Sequence, residues 1–199
     1  MCIRDRISVN NIEIPLIGFH NISNAAATFA LTSHIGISTS LIKKSLKDFQ
    51  GVERRFNKVF DFNGVTFFDD YAHHPTEIKE VLNGVKKSFL NKKVISIFQP
   101  HRISRLNDLS NDFSKSFKNS DQVLLCPVYK AGEKIKLKFK YDKFAKDISK
   151  NSKALVIMVN QKQDLVNFFK NNLKGNEIVI GMGAGSISGW LKELKNFLK

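Results

Sequence analysis

Nine consecutive residues, Asp69-Asp70-Tyr71-Ala72-His73-His74-Pro75-Thr76-Glu77, follow the apolar run Val65-Thr66-Phe67-Phe68. They bring three carboxylates, a phenol and two imidazoles to one short stretch. Pro75 sits where a helix favours proline, at its first position, because the missing N–H would be unpaired there anyway. His73 and His74 then lie at the positive end of that helix, where an anionic ligand is welcome. Asp69 and Asp70 have the chemistry to hold a ribose hydroxyl or the water shell of a magnesium ion. The plain alternative is a capped helix start with an incidental histidine pair.

A second stretch, Phe98-Gln99-Pro100-His101-Arg102-Ile103-Ser104-Arg105, has the same layout. Arg102 and Arg105 are three apart at the expected start of a helix, so their planar forks can converge on one carboxylate or phosphate. Positive side chains oppose the helix dipole at that end, which favours an anion beside them. The alternative is a solvated pair of charges. Arg54 and Arg55 occur together in GVERRF, and Asn21 and Asn24 lie one helical turn apart in GFHNISNAAA. Asn21 has a fair alternative as a helix cap. Asn24 is less easily explained that way, and an amide that both donates and accepts can read an adenine edge.

Two other candidates fail on spacing. GMGAGS at 181–186 has Ser186 where a dinucleotide fingerprint needs its third glycine, and no acidic residue stands about 20 positions on. A tight strand-to-helix turn is the better reading. His20, His34, His73, His74 and His101 show no zinc-type spacing, so no metal site is assigned.

These loops need a frame, and the apolar pattern supplies one. Residues 12–17 read as a strand. Ile22, Ala25, Ala26, Phe29 and Ala30 make a helical stripe, and Ser38 opens a second helix carrying Leu41, Ile42, Leu46 and Phe49. Asn63-Gly64 between two apolar runs signals a two-residue hairpin. After it, apolar strands at 94–98, 123–126, 155–159 and 178–180 alternate with helices. One of those helices is striped by Leu106, Leu109, Phe113 and Phe117, and another lies around 144–148 after a lysine-rich irregular stretch. The expectation is an α/β fold: a Rossmann-like, mostly parallel sheet with an initial β-hairpin, preceded by a helical remnant of another domain. In such sheets ligands bind at the carboxyl ends of the strands. Both chemistry-bearing loops start there.

Bulk properties narrow the class. The 199 residues are 42% hydrophobic, enough for one full domain and part of another. No apolar run approaches the roughly 18 to 20 residues of a membrane-spanning helix. Two cysteines, Cys2 and Cys126, exclude a disulfide scaffold and fit a reducing cytoplasm. The net charge of +14 raises a non-enzymatic nucleic-acid-binding module as the alternative. Against it, only six of the 32 basic residues are arginine and the lysines are scattered, with no aromatic-interleaved patch. The opening MCIRDR reads like translated adapter sequence, so the natural chain is expected to extend beyond it.

GFHNISNAAA, GVERRF, DDYAHHPTEI, FQPHRISR and GAGSIS stand in the order seen in the Mur ligases of peptidoglycan synthesis, and the chain resembles that family over nearly its whole length. The pair DDYAHHPTE and FQPHR is the specific part, most like the branch that joins L-alanine to UDP-N-acetylmuramate in the bacterial cytoplasm. The resemblance implies a three-domain enzyme. Residues 1–50 would be the end of its central ATPase domain, and 51–199 its Rossmann-like C-terminal domain. It implies that ATP and Mg2+ are used to make an acyl phosphate, with the metal ligands and the phosphate loop mainly in an N-terminal part that this sequence lacks. Asn21 and Asn24 would hold adenine, Arg55 the phosphates and Asp70 the ribose. Tyr71 and His73 would be catalytic beside the acceptor site, with His101, Arg102 and Arg105 binding substrate. The partners implied are UDP-N-acetylmuramate, L-alanine and the remaining domains of the same chain, with neither nucleic acid nor membrane.

Overall fold

The computed structural model describes residues 8–134 and 139–198. It divides into two compact units, Met1–Val52 and Glu53–Lys199. The first contains two helices, α1 (Phe19–His34) and α2 (Thr39–Asp48). Residues 12–17, expected as a strand, form none, because no neighbouring strand satisfies their backbone. The apolar stripe of α1 is not buried either; Ile22 is 55% exposed and no residue of that helix is buried. Two helices alone offer too little surface to cover both stripes. Ser38 is the residue before α2, but its hydroxyl meets Ser40 Oγ at 3.3 Å rather than a helix N–H.

The second unit opens with β1 (Asn57–Phe62) and β2 (Val65–Asp70), an antiparallel hairpin. Both turn residues adopt positive φ, Asn63 at 47° and Gly64 at 76°. That mirror-image turn matches the strand twist, which is why Asn-Gly was a reliable signal. Then follow α3 (Pro75–Ser88), β3 (Lys93–Phe98), α4 (Ile103–Asp108), α5 (Ser110–Lys115), β4 (Gln122–Leu125) and α6 (Tyr141–Ser152). The chain continues through β5 (Leu155–Met158), α7 (Lys162–Asn172), β6 (Glu177–Met182) and α8 (Ile187–Phe197). The single helix expected through Leu106 to Phe117 is broken at Leu109 into α4 and α5. Part of the lysine-rich stretch before α6, residues 135–138, lies outside the described residues.

The six strands run in the order β1-β2-β6-β3-β4-β5, parallel except for the hairpin. Alternate residues explain the unbroken apolar runs. Val94 and Phe98 of β3 join Ile78, Leu82, Phe113 and Phe144 in the core under α3 to α6. Ile95 and Ile97 face the opposite core, with Leu165, Phe169, Leu191 and Leu194 of α7 and α8. A strand covered on both faces has no polar side to show. The exception is the edge strand β5, where Leu155 is 56% exposed.

Candidate functional site

The parallel ladder sets the level at which the loops begin. Asp70 pairs with Met182, Met182 with Phe98, and Phe98 with Leu125. The last residues of β2, β6, β3 and β4 therefore stand in one row. The four loops that follow, starting at Tyr71, Gly183, Gln99 and Cys126, leave the same edge of the sheet together. The chemistry-bearing motifs, about 30 residues apart in sequence, are neighbours for that reason.

At this edge the aromatic rings form a file. Tyr71 meets His73 edge to face at 5.1 Å, His73 meets His101 at 5.6 Å, and His101 stacks on Tyr129 at 5.6 Å. Arg54 and Arg55 lie over the Tyr71 ring, their guanidinium carbons 4.8 and 5.8 Å from its centre.

The two imidazoles are set as opposite tautomers. His73 Nδ1 is 2.9 Å from the Tyr71 carbonyl oxygen and 3.4 Å from Glu77 Oε2. Both can only accept, so Nδ1 carries the proton and Nε2 presents a lone pair. His101 Nδ1 instead faces Arg105 Nη1 at 3.4 Å. A guanidinium can only donate, so His101 accepts at Nδ1 and carries its proton on Nε2. One ring offers an acceptor and its neighbour a donor.

Burial, helped by nearby His73, Arg105 and Arg102 and opposed by Glu133, holds the His101 imidazole below its ordinary value of 6.5, the His73 part acting only when that ring is protonated. The unfolded chain therefore binds this proton more readily than the folded one. The stabilising contribution is present above pH 6.5 and is lost as pH falls through the folded value. His101→Gln is expected to flatten that part of the acid limb. Urea midpoints of both chains at acid and neutral pH check it: the difference between them should change with pH.

Arg54 joins three segments. With φ at 60°, its backbone carbonyl accepts from Tyr71 N at 2.7 Å while its Nη2 donates to the Gly183 carbonyl at 2.6 Å. Its Nε lies 3.5 Å from Asp69 Oδ2, and Ser188 Oγ donates to that same oxygen at 2.5 Å. Asp69 is thus used inside the chain, with its Oδ1 buried and unpartnered among the described residues. Asp70 is likewise buried. Its Oδ1 accepts from Ala72 N at 2.7 Å and its Oδ2 from Phe56 N at 2.9 Å, and burial is the chief cause that raises its carboxyl above the ordinary range. Each oxygen keeps a second acceptor direction.

Both helix starts that the sequence offered to an external anion are filled by the chain's own carboxylates. Glu77 Oε2 accepts from His73 N at 2.9 Å and His74 N at 3.1 Å, closing a capping box on α3. Glu133 Oε2 accepts from Ile103 N at 2.7 Å at the start of α4. The dipole at that end is therefore answered without a ligand. The case for an anion at Arg102 and Arg105 now rests on a different observation: among the described residues neither is ion-paired with a carboxylate.

In the first unit, Asn21 and Asn24 lie in the first two turns of α1. Asn21 Nδ2 donates to the Ile17 carbonyl at 2.7 Å, leaving its oxygen free, and Asn24 is exposed. Among the described residues no group of three His, Cys, Asp or Glu side chains could hold a metal ion.

Tyr129, Gln99 and Glu133 were not singled out in the sequence. Tyr129 accepts from Arg102 N at 2.9 Å and donates its own N–H to the Pro100 carbonyl at 2.8 Å, a bridge between two loops. Buried Gln99 donates from Nε2 to Ser186 Oγ at 3.0 Å and accepts from Ile187 N at 3.0 Å, tying the FQPHR loop to the GMGAGS turn. A polar Gln directly after an apolar strand was the one available signal.

Comparison with known proteins supports the family and the fold. The family described as Mur ligase, glutamate ligase domain, matches residues 54–185. The chain is 55% identical over 195 residues to the UDP-N-acetylmuramate–L-alanine ligase of Pelagibacter ubique, covering 98% of this chain and 42% of that protein. It is 39% identical over 185 residues to the ligase of the same name from Bartonella tribocorum, covering 93% and 39%. It thus spans about two fifths of the length of these relatives. Among solved structures, the UDP-N-acetylmuramate-alanine ligase of Thermotoga maritima matches with a TM-score of 0.75 and 28% identity, over 92% of this chain and 38% of that one. A folylpolyglutamate synthase from Mycobacterium tuberculosis, at 13% identity and a TM-score of 0.62 over 94% of this chain and 42% of that one, shares the fold. None of these lends support to a nucleic-acid-binding module.

Proposed function

The chain belongs to the Mur ligase family, and on that premise we propose that it forms the acceptor half of the active site of an ATP-dependent ligase joining L-alanine to UDP-N-acetylmuramate. The carrying observation is the convergence, on one sheet edge, of two imidazoles of opposite tautomer with two arginines that have no carboxylate partner among the described residues.

In this reading the forks of Arg102 and Arg105 bind a substrate carboxylate, and His101 donates from Nε2 beside them. His73 Nε2 takes the proton released as the amine of L-alanine attacks, while Glu77 and the Tyr71 carbonyl hold the ring in the accepting tautomer. Tyr71 and Tyr129 flank the imidazoles at either end of the file. ATP supplies the phosphoryl group that activates the muramyl carboxylate as an acyl phosphate. Asn21 and Asn24 would hold its adenine, Arg55 its phosphates, and the free acceptor directions of Asp70 its ribose. The described residues do not fit a magnesium site of their own, so no step is assigned to the metal here.

The test is a hybrid in which this chain replaces the matching part of the Pelagibacter ubique ligase. Phosphate release that requires both L-alanine and UDP-N-acetylmuramate is expected, with this chain alone as the inactive control. Arg102→Lys keeps the charge but loses the fork. It should lower kcat/KM for one of the two substrates by about 1.5 to 3 kcal/mol, the worth of a hydrogen bond to a charged group. A hybrid indifferent to L-alanine overturns the reading. Unchanged kinetics in both Arg102→Lys and Arg102→Ala removes Arg102 from the site.

A further inference from the structure

The FQPHR loop contains a costly arrangement. Arg102 is a non-glycine residue at φ 70°, a left-handed conformation, directly before α4. Left-handed backbone in an ordinary residue persists only where the surroundings over-determine it. Arg102 also places a positive charge at the helix end that repels it, with Arg105 one turn further on. Something must hold this turn.

Glu133 meets that requirement. Besides Ile103 N, its Oε2 accepts from Ser104 N at 3.4 Å, and Ser104 Oγ donates to its Oε1. One side chain from the loop after β4 thus takes up two of the free backbone donors at the start of α4. On the other side of the turn, Tyr129 of the same loop holds Arg102 N. Neither arginine is ion-paired with this carboxylate. It offsets their charge and the dipole while binding backbone and hydroxyl.

We propose that Glu133 is a positioning residue for the carboxylate-binding pair. It clamps the turn from Arg102 to Arg105, so that both guanidiniums stay directed at substrate and Arg105 stays on His101. This rests on the ligase reading only for the identity of the carboxylate; the clamp itself can be tested without it. Among the described residues, the charged and titratable groups acting on His101 at this turn are His73, Arg102, Arg105 and Glu133.

The clamp is read first in the 199-residue chain. Glu133→Ala should speed hydrogen exchange at the Ile103 and Ser104 amides by roughly tenfold or more, the loss of hydrogen bonds to a charged group. It should also shift the His101 titration followed by imidazole resonances. Unchanged exchange at both amides overturns the clamp, whatever the ligase does. In the hybrid, Glu133→Ala should raise KM for the carboxylate substrate by roughly ten- to a hundredfold, with KM for ATP and the melting temperature little changed. Glu133→Gln keeps an acceptor for Ile103 N and should lie between. An equal rise for ATP, no rise at all, or a Gln variant as impaired as Ala overturns the positioning role. If the unsubstituted hybrid does not use L-alanine, the functional reading fails, and the clamp stands or falls on the exchange result.

Discussion

Arg54→Ala is expected to lower the stability of the chain by about 3 kcal/mol, the lower end of what is lost when one partner of a buried ion pair is removed. The Asp69 side chain is only 4% exposed, against 23% for Arg54, so the carboxylate left behind cannot be rescued by water. Its remaining contact would be Ser188 Oγ, with Oδ1 already unpartnered among the described residues. The Gly183 carbonyl would lose its donor too. Arg55, one residue on, is exposed, and Arg55→Ala should cost less than about 0.5 kcal/mol, as ordinary surface substitutions do. Urea unfolding of both variants decides it. Equal midpoints would show that Arg54 is a surface charge and that Asp69 is accommodated by Ser188 alone.

Gly183→Ala is expected to cost about 3 kcal/mol, from strain and overpacking together. Gly183 sits at φ 151°, and a Cβ there would lie 2.7 Å from the Gln99 carbonyl oxygen and 3.2 Å from Ile187 Cγ2. A backbone oxygen cannot swing aside as a side-chain end can. The obstruction would therefore be relieved only by moving the FQPHR loop, where Gln99 is also bonded to Ser186 and Ile187. Both stability and the His101 titration should change. Gly36→Ala is the control: its φ of 88° carries strain, but a Cβ there meets nothing within 4 Å. A loss at Gly183 no larger than at Gly36 would mean that the loop yields easily and that close approach is not what this glycine is for.

The hairpin, the alternation of strand and helix, and the helix start at Pro75 were legible because each depends on residues within about one turn of one another. Asn63-Gly64 needs only its own φ angles, and Pro75 is the first residue of α3. The apolar runs of β3 and β6 likewise report directly that both faces are covered. The same local logic misread residues 12–17 and the stripe of α1, since a pattern states what a segment could bury but not whether a partner is present.

The partners of the charged residues were decided by tertiary structure. By type and spacing Asp69 and Asp70 were alike, yet Asp69 meets Arg54 and Ser188, while Asp70 accepts from two backbone N–H groups and keeps a second acceptor direction on each oxygen. The helix start beside the two arginines called for an anion, and its backbone N–H groups found one in Glu133, about 30 residues away in another loop. The residue types in the two motifs were enough to propose a site and its chemistry. Tautomers, the free state of the arginine forks and the roles of Tyr129, Gln99 and Glu133 were set by contacts across parallel strands, whose partners lie far apart in the chain because every parallel pair needs a crossover between its members.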